Sequence, residues 1–393
     1  MKLNKLILPA VLLLAIPSCS NSSDPQSKGG VVPNGGTLVT DQDEFDAELG
    51  KLVNKFAINL NKDQKIEMNG SFDGFSFDLN STRFNSKLAL SDFDFKFIAD
   101  KLFLDNKNDI QGEFSVTGST LTYKVDAVPS DPEVEETHYD KTVDFGELKA
   151  YIKNGRYYID GSLAKPYETI KGLVRFMEPL YDTLAEKEAT LKVLEPIAKL
   201  LAKADNADVE KALDEYGYKF EVDGFGLANY SKFNKLIQTA SNDDVKLAAA
   251  GIKKAVKDSL GLSLSDFAEL YTYEDGGRAL QFNLSEKEIL AMVKPEDVEN
   301  YGLTFSESFI KAAVYFNKDG FPSSLSLAHN IKAVMDADVY VNVIGSPLSL
   351  STVGAFDMLI SNNVKEDIAY PKDIGTDYKK LTGLLVKLAP YLI

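Results

Sequence analysis

The side chains in this sequence able to serve as nucleophiles, bases or metal ligands are few and widely spaced. There is one Cys, Cys19, and there are two His, His138 and His329. A lone thiol forms no intramolecular disulfide, and it supplies neither a Cys-rich zinc site nor an iron–sulfur cluster. Two imidazoles fall short of a three-His metal centre, and both lie on expected strand edges as surface or paired residues. Carboxylates are the abundant group, with 59 Asp+Glu against 43 Lys+Arg in 393 residues. Two of them facing each other across a cleft would suit a carboxylate hydrolase of the glycosidase kind. Yet the chain has no Trp to form a sugar platform. It also lacks a G-x-S-x-G elbow, a Walker loop, H-E-x-x-H and G-x-G-x-x-G; Gly224-Phe225-Gly226 has no third Gly. Asp41, Asp43 and Asp46 suggest a calcium loop, but Phe45 stands where a ligand is needed and Asp46 where Gly is. The net charge of −16 opposes the basic footprint that nucleic acid requires. Composition therefore points to no metal, no cofactor and no catalytic motif.

Cys19 gains a role from what precedes it. Lys2 and Lys5 form a short positive region, and Leu6 to Ile16 form an apolar run broken by Pro9. That run is too short to cross a hydrocarbon core of roughly 30 Å as a helix, which takes about 20 residues. It reads as a removable signal segment over 1–18. Ile16-Pro17-Ser18-Cys19 resembles the lipobox of bacterial lipoprotein precursors, with aliphatic Ile16 three places before the Cys and small Ser18 just before it. Pro17 departs from the usual small or β-branched residue between them. The resemblance implies diacylglycerol on the Cys19 sulfur, cleavage before Cys19, and acylation of the freed amine, with palmitate a typical chain. Two or three chains, at about 0.8 kcal/mol per buried CH₂, hold a protein stably where one would not. The implied place is the cell envelope, anchored to a membrane through Cys19 and facing away from the cytoplasm. Loss of Lys2 and Lys5 takes the charge from −16 to −18. Electrostatics then opposes adhesion to anionic lipid, and the anchor holds alone.

Residues 19–37 are rich in Ser, Asn, Gly and Pro and bury no apolar area, so they read as a flexible tether of roughly 20–25 Å. The globular body covers 38–393. It opens with a helix capped by Thr40 or Asp41, whose apolar stripe is Phe45, Leu49, Leu52, Val53 and Phe56. Over 64–160 the period is two. Phe75 and Phe77 alternate with polar residues, as do Phe93, Phe95 and Phe97, which gives antiparallel strands with one wet face. Asn154-Gly155 marks a type I′ hairpin that pairs Lys153 with Arg156, Ile152 with Tyr157 and Tyr151 with Tyr158. Residues 163–260 have helical period, with Phe176 and Leu180 on the first stripe. Strands return over 262–365, a capping box at Ser285 and Glu288 opens a helix, and a last helix is expected over 375–389. Asp144-Phe145-Gly146-Glu147-Leu148 recurs as Asp266-Phe267-Ala268-Glu269-Leu270, with Tyr151, Gly155 and Arg156 matched by Tyr273, Gly277 and Arg278. Duplication and the shared physics of Gly-turn hairpins both account for this.

The fold class expected is α+β: a large curved antiparallel sheet, half-barrel-like, with a helical segment on its concave face. This order, with the hairpin of Ala313-Val314-Tyr315-Phe316-Asn317-Lys318-Asp319-Gly320-Phe321-Pro322 and the end Asp367-Ile368-Ala369-Tyr370-Pro371-Lys372-Asp373, resembles the LolA/LppX-like half-barrel lipoproteins. The resemblance implies a closing strand at 367–373 and an apolar groove for acyl chains, lined by Phe75, Phe77, Phe93, Phe95, Phe97, Phe176 and Leu180. A dry core explains the same side chains. The partners implied are the membrane and an apolar ligand. An envelope protein bound by a structural lipoprotein is the alternative.

Overall fold

The computed structural model of the chain describes residues 33, 35–60, 65–91, 93–101, 108–128, 137–161, 209, 211, 213, 219–223, 268–291, 293, 295–336, 347–362, 364–380, 382–383 and 386–387. The segment with Cys19, and most of the 163–260 region with Phe176 and Leu180, lie outside the described residues.

Alternating Phe, Leu and Val against Ser, Thr, Asp and Lys builds long strands here, as a period of two demands. In chain order they are β1 (Thr37–Leu38), β2 (Ile66–Asn80), β3 (Phe84–Ser91), β4 (Phe93–Asp100), β5 (Gln111–Ala127), β6 (Thr137–Lys153), β7 (Arg156–Asp160) and β8 (Lys219–Asp223). There follow β9 (Ala268–Thr272), β10 (Arg278–Ser285), β11 (Thr304–Phe305), β12 (Phe309–Phe316), β13 (Pro322–Met335), β14 (Leu348–Asn362) and β15 (Lys379–Lys380). The helices are α1 (Gln42–Leu60), α2 (Glu286–Ala291) and α3 (Pro295–Tyr301). All fifteen described strands belong to one open sheet running β1-β9-β10-β12-β13-β14-β2-β3-β5-β6-β7-β8-β15, with β11 beside β13 and β4 between β2 and β5. Every described pair is antiparallel except β15 with β8. The expected α+β fold with a large curved antiparallel sheet is what the chain adopts.

A crease crosses the middle of the sheet. Gly74 in β2, Gly118 in β5 and Gly146 in β6 all have positive φ, at 124°, 74° and 59°. The ladders slip at the same level, between Gly354 and Phe356 and between Val116 and Thr120. An extra residue in one strand bends it and increases local twist, and glycine takes the left-handed conformation without a Cβ penalty. The Ser91 and Thr120 hydroxyls of neighbouring strands meet beside the crease at 2.6 Å, and the Asp144 carboxylate accepts from Gly146 N at 2.8 Å. In sequence these glycines are isolated interruptions of alternation, and only their alignment makes them a line.

Helix α1 lies on one face at the β9–β12 end. Asp41 is its cap, accepting from Glu44 N at 2.9 Å. Phe45 and Leu49 bury against Ala268 and Leu270, and the Phe56 ring meets Phe316 edge-on at 6.4 Å. Each such side chain taken from water contributes about 1.5–3 kcal/mol. The Asn154-Gly155 hairpin forms in the expected register, with φ of 53° and 70° at the turn. At the start of α2 the Glu288 carboxylate accepts from Ser285 N at 2.9 Å, the carboxylate half of the expected capping box, and from the Ser285 hydroxyl.

The C-terminus departs from two expectations. No strand forms over 367–373, because those residues cross the strand ends rather than run beside them. Val364 N reaches Lys65 O, Ala369 N reaches the Glu113 carboxylate at 3.3 Å, and Tyr370 OH donates to Ile152 O at 2.7 Å. The helix expected over 375–389 starts later. Gly375 turns the chain at φ 84°, Asp373 O accepts from Thr376 N, and Lys379–Lys380 pair with β8 before helical residues appear at 382–383 and 386–387. Burial of Tyr378 against Tyr151 and Tyr158 fixes this path. The matched segments near 144 and 266 also pair differently. The first hairpin turns over two residues, whereas the second pairs Thr272 with Arg278 and so turns over five.

Candidate functional site

Register places Phe75, Phe77, Phe93, Phe95 and Phe97 on one face, as alternation requires, but the sheet divides them among separate clusters. Phe77, 6% exposed, is core with Leu79, Val125 and Leu348, and Phe75 packs against it. Phe97 packs against Ile66, Ala99 and Phe321. Phe93, Phe95, Phe114 and Phe356, all half-buried, join the buried Phe72 in an aromatic patch. Phe72 meets Phe93 at 4.8 Å and Phe356 at 4.6 Å between centroids, and Phe95 stacks on Phe356 at 6.0 Å. Phe114, at 6.1 Å from Phe95, and Phe356 are members that the sequence reading passed over. Both sit at the right parity of their strands, which was the available signal. Gly70 lies on β2 directly beneath the patch, and a Cβ there would run into the Phe95 ring. Aromatic side chains thus cover a glycine whose backbone would otherwise be bare. The patch offers flat apolar contact through its ring faces.

A second feature is a cleft of about 270 Å³ where α1 crosses the β9–β10 and β12–β13 turns. Glu48 and Arg278 form its floor. Arg278 Nε donates to Glu48 Oε2 at 2.7 Å, and Lys51 reaches Oε1 of the same carboxylate at 2.6 Å. These cations hold the Glu48 carboxyl below its ordinary range, the Lys51 hydrogen bond contributing most. Leu52 and Lys55 line one wall, with Lys55 Nζ donating to Lys318 O at 2.7 Å. The opposite wall is two turns, at Gly276 and over Asn317–Gly320. The Asn317 side-chain oxygen accepts from Asp319 N and Phe321 N, at 3.0 and 3.1 Å, which rigidifies that turn.

The histidines fall in opposite environments. His138 is exposed and contacts Asp126 at 3.0 Å, whose carboxyl it holds below the usual range. His329 is not at a strand edge. It sits mid-strand in β13, 5% exposed, with Nε2 at 2.9 Å from Thr352 Oγ1 and its ring 6.5 Å from Phe75. Burial pushes its pKa down to about 4, so the ring is neutral at pH 7. Among the described residues Asp78 is the carboxyl that burial pushes up, with Lys87 at 3.8 Å opposing the shift. Its partners across the two neighbouring strands are Lys87 and Ser351, so no second carboxylate faces it there. Among the described residues no group of three or more His, Cys, Asp and Glu is placed to hold a metal ion. No described helix is long and apolar enough to cross a membrane.

Neither a protein-family profile nor a curated protein matches this chain.

Proposed function

We propose that this protein is a bacterial lipoprotein anchored to a membrane of the cell envelope through acylated Cys19, with a body that serves as a non-catalytic binding or carrier module for a lipid or another apolar ligand. The observation that carries the anchor is the run Leu6 to Ile16 ending in Ile16-Pro17-Ser18-Cys19, where the chain's one thiol falls at the acceptor position. The aromatic patch around Phe95 supports the second half of the reading. Four half-buried phenylalanine side chains of β4, β5 and β14 gather there around the buried Phe72 of β2. An acyl chain laid on such a patch gains about 25 cal/mol per Å² of apolar surface removed from water, without any polar contact.

Replacement of Cys19 by Ala tests the anchor. The wild-type chain should carry diacylglycerol mass and partition with membranes, and the variant should retain its leader, carry no acyl mass and leave the membrane fraction. A variant that keeps its lipid mass ends the lipoprotein reading. For the ligand, organic extracts of the purified chain are analysed by mass spectrometry. An apolar molecule should co-purify with the wild type and be depleted in Phe95→Ala. Absence of any such molecule from the wild type sinks the carrier role.

A further inference from the structure

The cleft between α1 and the two hairpin turns carries a charge opposite to that of the whole chain. Lys51, Lys55 and Arg278 line it with a single acid, Glu48, in a protein of net charge −16. Arg278 is committed, since its Nε and Nη2 hold Glu48 while its Nη1 donates to the carbonyls of Gly276 and Gly277. It therefore fixes positive charge in the floor without moving. The nearest acid of the β9–β10 turn, Asp275, spends its carboxylate on Gly277 N at 2.8 Å and Tyr315 OH at 3.0 Å. Lys51 and Lys55 stand one helical turn apart, the spacing at which like charges repel. An anion seated between their ammonium groups relieves that repulsion. Gly320, at φ 76°, lets the facing turn close on the Lys55 stem, where any Cβ would collide.

The chain from the anchor arrives at this place. Tyr273, where the β9–β10 turn begins, donates its hydroxyl to Pro33 O at 3.0 Å, and Gly36 lies against the same ring. Thr37 and Leu38 then pair with Thr272 and Tyr271. Thirteen residues lie between Cys19 and Pro33. As the flexible tether its composition implies, at about 5–6 Å × √n that stretch would span roughly 20 Å and leave the cleft within reach of the headgroup layer. We infer that the cleft binds the phosphate of an anionic phospholipid headgroup in the membrane that holds Cys19, an inference that rests on the anchored-lipoprotein reading. The net charge of −16 opposes such lipid, so this cationic seat would turn the body with its β9–β10 and β12–β13 turns toward the membrane.

The test uses the full lipidated protein in phosphatidylcholine vesicles, with or without phosphatidylglycerol, and reads hydrogen exchange of Gln42–Leu60 and 272–278. Phosphatidylglycerol should slow exchange in both segments, and high salt should reverse the effect. Each lysine near an anionic surface is worth about a fivefold change in occupancy. Lys51→Gln/Lys55→Gln should therefore abolish the slowing with an unchanged melting temperature, and Lys51→Arg/Lys55→Arg should keep it. Equal exchange on both vesicles, with acyl mass present on Cys19, overturns the inference and leaves the anchor standing. Slowing by inorganic phosphate that phosphatidylglycerol does not reproduce assigns the cleft to a free anion and also overturns it. A chain without acyl mass overturns both readings.

Discussion

Acidification should destabilise this protein through His329, and the effect can be worked from its surroundings. The ring is buried between β12 and β14, hydrogen-bonded to Thr352, and its pKa is pushed down by burial to about 4 from an ordinary 6.5. A base whose folded pKa is depressed contributes its stability in the neutral form. That contribution is complete above the unfolded value and is lost as pH falls from 6.5 toward 4. Over the full window the shift corresponds to roughly 3 kcal/mol, and about 2 kcal/mol of it is spent between pH 7 and pH 5. Against a typical domain stability of about 5–15 kcal/mol that loss is large. Staying at or above pH 5 keeps the chain on the soluble side of its isoelectric point of about 4.7. The control is His329→Gln, whose amide keeps a donor toward Thr352 but does not titrate. Urea unfolding of both proteins at steps between pH 7 and pH 5 isolates the term, because carboxylates and the exposed His138 contribute equally to each and cancel in the difference. The wild type should lose about 2 kcal/mol more than the variant over this range. Parallel stability curves would refute the argument that this imidazole is desolvated and neutral in the fold.

Three further outcomes follow from local geometry. Asp41→Ala removes the cap on Glu44 N and should cost about 1 kcal/mol in thermal or urea unfolding, with Asp41→Asn recovering most of it. The Tyr378 hydroxyl is buried without a hydrogen-bond partner among the described residues, so Tyr378→Phe should hold or raise stability by up to about 1 kcal/mol, whereas loss of stability would reveal a partner. Asn154 turns the β6–β7 hairpin at φ 53°, so Asn154→Gly should be near neutral and Asn154→Val should cost about 1–2 kcal/mol, read as a shift in the unfolding midpoint.

Local patterns were legible wherever neighbours in sequence are also neighbours in space. The α1 cap and stripe, the Asn154-Gly155 register and the Ser285–Glu288 box each rest on contacts within a few residues. Pleat parity puts Phe75 with Phe77, and Phe93 with Phe95 and Phe97; that the two sets share a face depends on the β2–β4 pairing and on the slip of the β2–β14 ladder between them. What parity cannot tell is which strand lies beside which, and so it could not separate Phe77 in a closed core from Phe95 in an open patch. Nor could it show that β14 brings Phe356 onto Phe72 and Phe95 from more than two hundred residues away. The C-terminal expectation failed for the same reason. Tyr370 and Tyr378 look like a strand and a helix start until Tyr151 and Tyr158 offer them a surface on which to bury.

The sequence by itself determined that this chain is sheet-rich and acidic, and it determined where its single thiol stands after an apolar run. These are properties of composition and short-range order, which need no partner. Tertiary structure decided the rest. It set Arg278 on Glu48 across 230 residues, aligned three scattered glycines into a crease, and buried one histidine while leaving the other in water. Each of those outcomes depends on strand order, and strand order is settled by burial summed over the whole sheet rather than by any window of the chain.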